Sequence, residues 1–309
     1  MPELPEVEVV RAGLAPAVTG SLVTGVEIVD GRSLKRHVHP HGPFERLLLG
    51  RRLQGAVRRG KFLWLPTGGD EALLVHLGMS GQVLLRAADA PPTRLTRIRI
   101  GIEMPDPEDG SPRESALHFV DQRIFGSMAI DTLVPTVDGR PGGFAGYDAT
   151  GGDWQRAVPS QVAHIARDPL DPFFDVGAVV TALGRRRSGI KRALLDQTLV
   201  SGIGNIYADE SLWAAELHPE QLSSTLGEAR IRRLFAEVHS VLERALAEGG
   251  TSFDAQYVNV NGASGYFSHS LTAYGQTGKP CPRCGEPIVR VPFMNRSSHL
   301  CPHCQRLPR

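Results

Sequence analysis

The chain has 309 residues, 41% of them hydrophobic and 22% charged, and carries a net charge of +1. That length allows roughly two domains, the composition is that of an ordinary globular protein, and the near-neutral balance excludes a binder driven by global charge alone. No apolar run approaches the ~18 residues that cross a membrane, and MPELPEVEVV, with three acids in its first eight residues and no basic n-region, does not read as a secretory leader. The expected compartment is therefore the cytoplasm, where thiols stay reduced.

Residues 3–14 carry a helical pattern behind Pro2, with Val7, Val10 and Leu14 along one side. From Leu22 to Phe125 the chain reads mainly as strands: LVTGVEIVDG, LQGAVRRGKFLWLP, EALLVHLG, GQVLLRA, TRIRIGIEM and ALHFVD, separated by turn signals such as GGDE and PDPEDGSP. This predicts a β-sandwich or barrel with one buried N-terminal helix. Residues 136–172, rich in Gly, Pro and Asp, read as a linker. Beyond Asp171 the apolar period becomes 3.6, which predicts helices near 175–184, 189–199, 204–215 and 227–248. The segment QYVNVNGASGYFSHSL reads as loop. The expected organisation is α+β and two-domain: a β domain over 1–135, the linker 136–172, a helical domain over 173–265 and a small module over 273–309.

The chain's four cysteines, Cys281, Cys284, Cys301 and Cys304, are spaced C-x2-C-x16-C-x2-C. Each C-x2-C pair places two thiolates about 3.5–4 Å apart, as a tetrahedral metal needs, and the intervening segment forms a hairpin that returns the second pair to the first. A disulfide reading is weak in a reducing compartment. Four thiolates leave no open coordination position, so one structural zinc ion is expected.

Local charge says more than net charge. Arg51, Arg52, Arg58, Arg59 and Lys61 lie in one acid-free stretch, Arg185, Arg186, Arg187, Lys191 and Arg192 in a second, and the C-terminal segment from Ala273 in a third, while Glu103, Asp106, Glu108, Asp109 and Glu114 are segregated elsewhere. A single charge run is usually a solvated face; three make a binding stripe worth testing.

Pro2 and Glu3 open the chain. Trimming of the initiator methionine leaves a secondary amine on Pro2, and an α-amino group titrates near ~8, far below a lysine. Such an amine attacking a sugar C1′ gives an iminium, and Glu3 beside it can serve as general acid or base. On these two residues alone a simple N-terminal cap is the more economical reading.

Five motifs in order change that: MPELPEVE, HLGMSG at 76–81, DQRIFG at 121–126, SGIGNIYADE at 201–210 and the four-cysteine module. Together they resemble bacterial formamidopyrimidine-DNA glycosylase over essentially the whole chain. In the sister family of the endonuclease VIII type the third mature residue is typically glycine, whereas here it is Leu4. The resemblance implies an N-terminal catalytic β-sandwich, a helix-two-turn-helix DNA-binding domain and a zinc-finger hairpin. It implies base-excision repair: a bifunctional glycosylase and abasic-site lyase that excises 8-oxoguanine and formamidopyrimidines through a Pro2 Schiff base, followed by β,δ-elimination. The partner implied is damaged or abasic double-stranded DNA, bound by a monomer without an organic cofactor.

Residue by residue, the resemblance makes Pro2 the nucleophile, Glu3 the acid that assists sugar ring opening and Lys61, in RRGKFLW, a hairpin-tip lysine of the lyase chemistry. Met79, Arg123 and Phe125 fill the gap left by the flipped base and hold the orphan cytosine. Wedges of that kind are apolar, and arginine donors read a base edge. Asn205 binds phosphates beside the lesion, Arg186, Arg187 and Lys191 align with a segment that contacts the DNA backbone, and Arg296 grips phosphates around the flipped nucleotide. Two departures stand out: Ile124 replaces an arginine common in relatives, and a histidine frequent near the strand after HLGMSG is replaced by TRLTRIRI, where Arg97 or Arg94 substitutes. The loop over the damaged base is expected within 253–268. The rival readings are an endonuclease VIII-like enzyme preferring oxidised pyrimidines and a non-catalytic damaged-DNA-binding paralogue, which is expected to have lost Pro2, Glu3 or Lys61.

Overall fold

The computed structural model describes residues 2–38, 40, 42–105, 111–146, 152–251, 260 and 265–307. The chain divides into two compact units: Met1–Pro2, Glu6–His164 and Ser252–Gly265 form the first, and Glu3–Pro5, Ile165–Thr251 and Tyr266–Arg309 the second.

The first unit is a β-sandwich with a helix. Its elements are α1 (Leu4–Val18, which takes its first residues from the second unit), β1 (Leu22–Ile28), α2 (Phe44–Leu48), β2 (Val57–Arg59), β3 (Phe62–Pro66), β4 (Glu71–His76), β5 (Gly81–Ala87), β6 (Thr96–Pro105), β7 (Pro112–Asp121), β8 (Ser127–Pro135) and β9 (Ala157–Pro159). They form two antiparallel sheets, ordered β1-β6-β7-β5 and β2-β3-β4-β8-β9. On β6, Ile98, Ile100 and Ile102 are buried while Arg97 and Arg99 point the other way, the period-2 pattern of a strand with one wet face. β3 and β4 are buried throughout except at His76, and between Glu71 and His76 at the ends of β4 they are apolar on both faces. Val7, Val10 and Leu14 of α1 join both sheets in one core.

Two sequence expectations change here. β8 lies beyond the last strand read from the sequence. Residues 136–164 are not a free linker: β9 pairs with β8 (Leu133↔Pro159), and Phe144 exchanges both backbone hydrogen bonds with Arg58, at 2.8 and 2.9 Å. The glycines that suggested flexibility serve close approach instead. A Cβ on Gly143 would lie 2.5 Å from the Arg58 carbonyl oxygen and 2.6 Å from the Trp64 ring.

The second unit holds α3 (Val176–Gly184), α4 (Ile190–Leu194), α5 (Asn205–Ala214), α6 (Glu228–Ala247) and the hairpin β10 (Val289–Phe293) and β11 (Arg296–Leu300). α3 is capped by Asp175, whose carboxylate accepts from the Ala178 amide. α6 buries Ile231, Leu234, Val238 and Val241 at helical spacing. α4 ends at Leu194, short of the expected 199, because Asp196 accepts from the Thr198 amide (3.0 Å) and hydroxyl (2.7 Å) and turns the chain. Among the described residues no helix is long and apolar enough to cross a membrane.

Candidate functional site

In the helical unit, Glu3 is only 1% exposed and its carboxylate closes the start of α5. It accepts from the Gly204, Ile206 and Tyr207 amides at 2.6, 3.0 and 3.4 Å. These are the amide groups a helix N-terminus leaves unpaired, and the helix dipole favours an anion there. The Leu4 amide donates to the Gly202 carbonyl at 3.0 Å. Gly202 has φ +89, and a Cβ on it would lie 2.5 Å from Leu4; a Cβ on Gly204 would overlap the Glu3 carboxyl group. The two glycines of GIGN are thus the imprint of Leu4 and Glu3.

The acids that follow them join α5 to the C-terminal module. Asp209 pairs with Lys191 Nζ at 2.6 Å and accepts from the His299 amide at 2.9 Å. Glu210 accepts from the Thr272, Ala273 and Tyr274 amides at 3.0, 2.8 and 2.7 Å. Lys191 Nζ also donates to the Ser297 carbonyl (3.1 Å) and Ser298 hydroxyl (2.8 Å), and Asn205 Nδ2 donates to the same Ser297 carbonyl at 3.1 Å. Both side chains therefore grip the residue next to Arg296, which stays exposed at the start of β11. Burial pulls the Lys191 amine below the usual lysine range, opposed by Asp209. Arg296 borders a cleft of about 750 Å³ whose walls include Arg186, Arg187 and Arg192.

The four cysteine sulfurs lie within 4.8 Å of one another, with Cys284–Cys301 and Cys284–Cys304 at 3.5 Å. These separations suit four ligands about 2.3 Å from one tetrahedral ion. Burial raises the Cys281 thiol, but amide donors from Arg283 and Cys284 and the Trp213 indole bring it down to about 7.

In the β unit, Lys61 follows Gly60 (φ +56) in the tight turn between β2 and β3. The turn is anchored from below: buried Arg58 donates to Glu8 of α1 at 2.8 Å, and Arg11 donates to the other Glu8 oxygen at 2.9 Å. Phe62 pairs across the ladder with His76, their rings 4.8 Å apart. Burial, then the charges of Arg36, Lys61 and Lys35, lowers the His76 pKa to about 4. Its Nδ1 accepts from the Gly78 amide at 3.2 Å, so the neutral ring carries its proton on Nε2 and presents a donor.

HLGMSG and DQRIFG meet backbone to backbone. Gly78 (φ +65) touches the Phe125–Gly126 peptide, where a Cβ would lie 2.5 Å from Gly126 N. The Asp121 carboxylate ties both loops, accepting from the Ser80 hydroxyl (2.5 Å), the Arg123 amide (3.1 Å) and the Gly126 amide (2.7 Å). Met79 and Phe125 are left 43% and 53% exposed. Between Arg123 and Phe125, Ile124 sits at φ +56, a left-handed conformation that costs a β-branched residue on the order of 1–3 kcal/mol and persists only where the surroundings enforce it.

Three family models match in order: the formamidopyrimidine-DNA glycosylase N-terminal domain over residues 1–128, its H2TH domain over 165–256, and a zinc finger found in FPG and IleRS over 278–307. A formamidopyrimidine-DNA glycosylase of Leifsonia xyli subsp. xyli is 62% identical over 99% of this chain and all of its own length. The chain belongs to the formamidopyrimidine-DNA glycosylase family. Among solved structures, Lactococcus lactis Fpg with abasic-site DNA is 29% identical at a TM-score of 0.76, covering 98% of this chain and 99% of that one. MutM with carbocyclic 8-oxo-G DNA is also 29% identical, at a TM-score of 0.77, covering 99% of this chain and all of that one.

Within this family the four-cysteine module is a zinc finger, and the sulfur cluster fits one structural zinc. Cys281, Cys284, Cys301 and Cys304 would hold it, and their hairpin carries Arg296. The structure corrects other expectations. Lys191, expected from the resemblance to contact the DNA backbone, is wholly buried and committed to Asp209 and the hairpin, whereas Arg187 and Arg192 are exposed. The first basic stretch is not a stripe: Arg58 and Arg59 are buried, and Arg51 pairs with Glu71 at 3.4 Å. Arg97 donates to the Asp121 carbonyl at 2.8 Å and so supports the Arg123 loop from beneath. Of the loop expected within 253–268, residues 253–259 and 261–264 lie outside the described residues. Sequence reasoning passed over His76, although it opens HLGMSG at the end of a strand and pairs with Phe62, the residue after Lys61. It also left Arg192 as one of a run.

Proposed function

We propose that the chain is a base-excision repair enzyme that excises 8-oxoguanine and formamidopyrimidines from duplex DNA and then cleaves the abasic site. The observation that carries the reading is the placement of Glu3. A buried acid is held by three amides at a helix start, one peptide bond from a proline that becomes a secondary amine once Met1 is removed.

The target base must leave the stack to be reached, at a cost of a few kcal/mol. Met79 and Phe125 enter the gap, and Arg123 takes the edge of the orphan cytosine. Arg296, Asn205 and the exposed arginines near the cleft hold phosphates, with His76 and Lys61 as further donors. The Pro2 nitrogen then forms a bond to C1′ as the C1′–base bond breaks, and the departing base takes a proton from water. The Glu3 carboxylate takes the proton that the Pro2 nitrogen sheds and passes it to the ring oxygen as the sugar opens, which leaves an iminium at C1′. The iminium acidifies the C2′ hydrogen. Its removal expels the 3′ phosphate, a second elimination expels the 5′ phosphate, and water releases the sugar remnant from Pro2.

The test is borohydride trapping by tag-free protein on an 8-oxoguanine:cytosine duplex, with thymine glycol as the comparison substrate. A covalent adduct that is lost when Met1 is retained, since the nitrogen is then an amide, supports the reading. Absence of an adduct, or an equal adduct with Pro2→Gly, overturns the mechanism. Preference for thymine glycol overturns the substrate class.

A further inference from the structure

Met79, Arg123 and Phe125 stand on the surface, so no core fixes their direction and their backbone must. Two arms do so, both from one segment. Asp30 caps the short 3-10 turn Gly31–Leu34, accepting from the Arg32 amide at 3.1 Å, and pairs with Arg97 at 3.6 Å. The Val29 and Asp30 amides donate to the Arg97 carbonyl at 2.9 and 3.0 Å. Arg97 in turn holds the Asp121 carbonyl, the near end of the loop. Directly after the turn, Lys35 reaches the far end: its Nζ donates to the Ile124 and Phe125 carbonyls, each at 3.1 Å.

Both carbonyls follow the N–Cα bond of the strained residue, the bond whose rotation is its φ. Relaxing Ile124 from φ +56 to an ordinary negative φ would swing both carbonyls together away from Lys35. An ammonium bonded to both opposes that rotation, and hydrogen bonds from a charged donor are about twice as strong as neutral ones. Lys35 is exposed, so its loss leaves the carbonyls to water and costs the fold little.

We propose that Lys35 is a specificity-determining positioning residue. By clamping the Ile124 and Phe125 carbonyls it holds Arg123 and Phe125 in the geometry that reads the base opposite the lesion. The inference rests on the glycosylase reading given above, and its test includes a readout that needs no chemistry.

The zinc-loaded full chain and its Lys35→Gln and Lys35→Arg variants are compared on duplexes with 8-oxoguanine opposite each of the four bases, with 2-aminopurine beside the orphan base. Lys35→Gln is expected to narrow the kcat/KM preference for cytosine over adenine by about tenfold, the ratio that ~1.4 kcal/mol controls. It should also blunt the 2-aminopurine fluorescence rise that reports wedge insertion. Lys35→Arg, which can still donate to both carbonyls, should restore both, and thermal unfolding should not move. A wild-type preference and fluorescence rise in Lys35→Gln would overturn the proposal. So would an equal loss against all four bases with a salt slope reduced by about one, which marks a phosphate contact. If wild type forms no borohydride adduct, the glycosylase reading fails, and the fluorescence rise alone decides Lys35.

Discussion

Glu3 and Gly204 touch so closely that neither can change without the other: the Gly204 amide donates to the Glu3 carboxylate at 2.6 Å, and the space a Cβ would need is taken by that carboxyl group. Two motifs 201 residues apart therefore form one contact, and the acid's position is set by where α5 begins.

Gly204→Ala is the direct probe. The methyl group must displace Glu3, so borohydride trapping on an abasic-site duplex should fall by about a hundredfold, the loss that a displacement of ~1 Å produces. Zinc content should stay intact. Retention of wild-type trapping by Gly204→Ala would remove Glu3's placement from the mechanism.

Lys191 gives a second separation of roles. Lys191→Met keeps the shape but leaves Asp209 buried and uncompensated, which should cost about 3–5 kcal/mol in denaturant unfolding. Lys191→Met combined with Asp209→Leu should recover part of that loss. In DNA-binding titrations, Arg187→Ala and Arg296→Ala should each lower the salt slope by about one, because these arginines are exposed. In the stabilised double variant the slope should fall only if Arg296 moves. A slope reduction with the hairpin unchanged by NMR would return Lys191 to the DNA-contact list.

These examples mark what could be read from the sequence. Period-2 and period-3.6 patterns located most strands and helices because burial alone sets them, as on β6 and α6. β8 was missed because Asp131 breaks its apolar run; its carboxylate accepts from the Ser160 hydroxyl (2.8 Å) and the Gln161 amide (2.9 Å), partners that no local pattern announces. The motif residues were visible as a set, but their division of labour was not. A charge run cannot tell a solvated arginine from a buried lysine, since the difference lies in a partner, Asp209, on another helix. Nor can a glycine reveal that the side chain it makes room for is Leu4 or Glu3.

His76 provides a pH test. Its folded pKa of about 4 lies below the unfolded value of 6.5, so between these limits the unfolded chain binds more protons. The stability contributed by the neutral, largely buried ring is fully present above 6.5 and is lost as pH falls towards 4, at up to ~1.4 kcal/mol per unit. The stability difference between wild type and His76→Gln should follow that window. NMR should find the Nε2-protonated tautomer through pH 5.5, and a His76 midpoint near 6.5 would contradict the buried, positively flanked placement.

The zinc hairpin supplies the last test, because two anchors hold it. The thiolates fix its base, while Lys191 and Asn205 fix the Ser297 carbonyl near its tip. If the metal only staples its own loop, those two hydrogen bonds keep Arg296 aimed after zinc is removed. If the hairpin needs its base to keep its register, they do not. Only five residue pairs join β10 to β11, and an isolated two-stranded hairpin is marginal in water. The second outcome is therefore expected. Cys301→Ser should lose zinc by atomic absorption, weaken binding to abasic DNA by about tenfold or more, and lower the salt slope by about one as Arg296 drops out. The β unit should melt as before. Wild-type affinity and slope in a zinc-free Cys301→Ser protein would show that Lys191 and Asn205 suffice to aim Arg296.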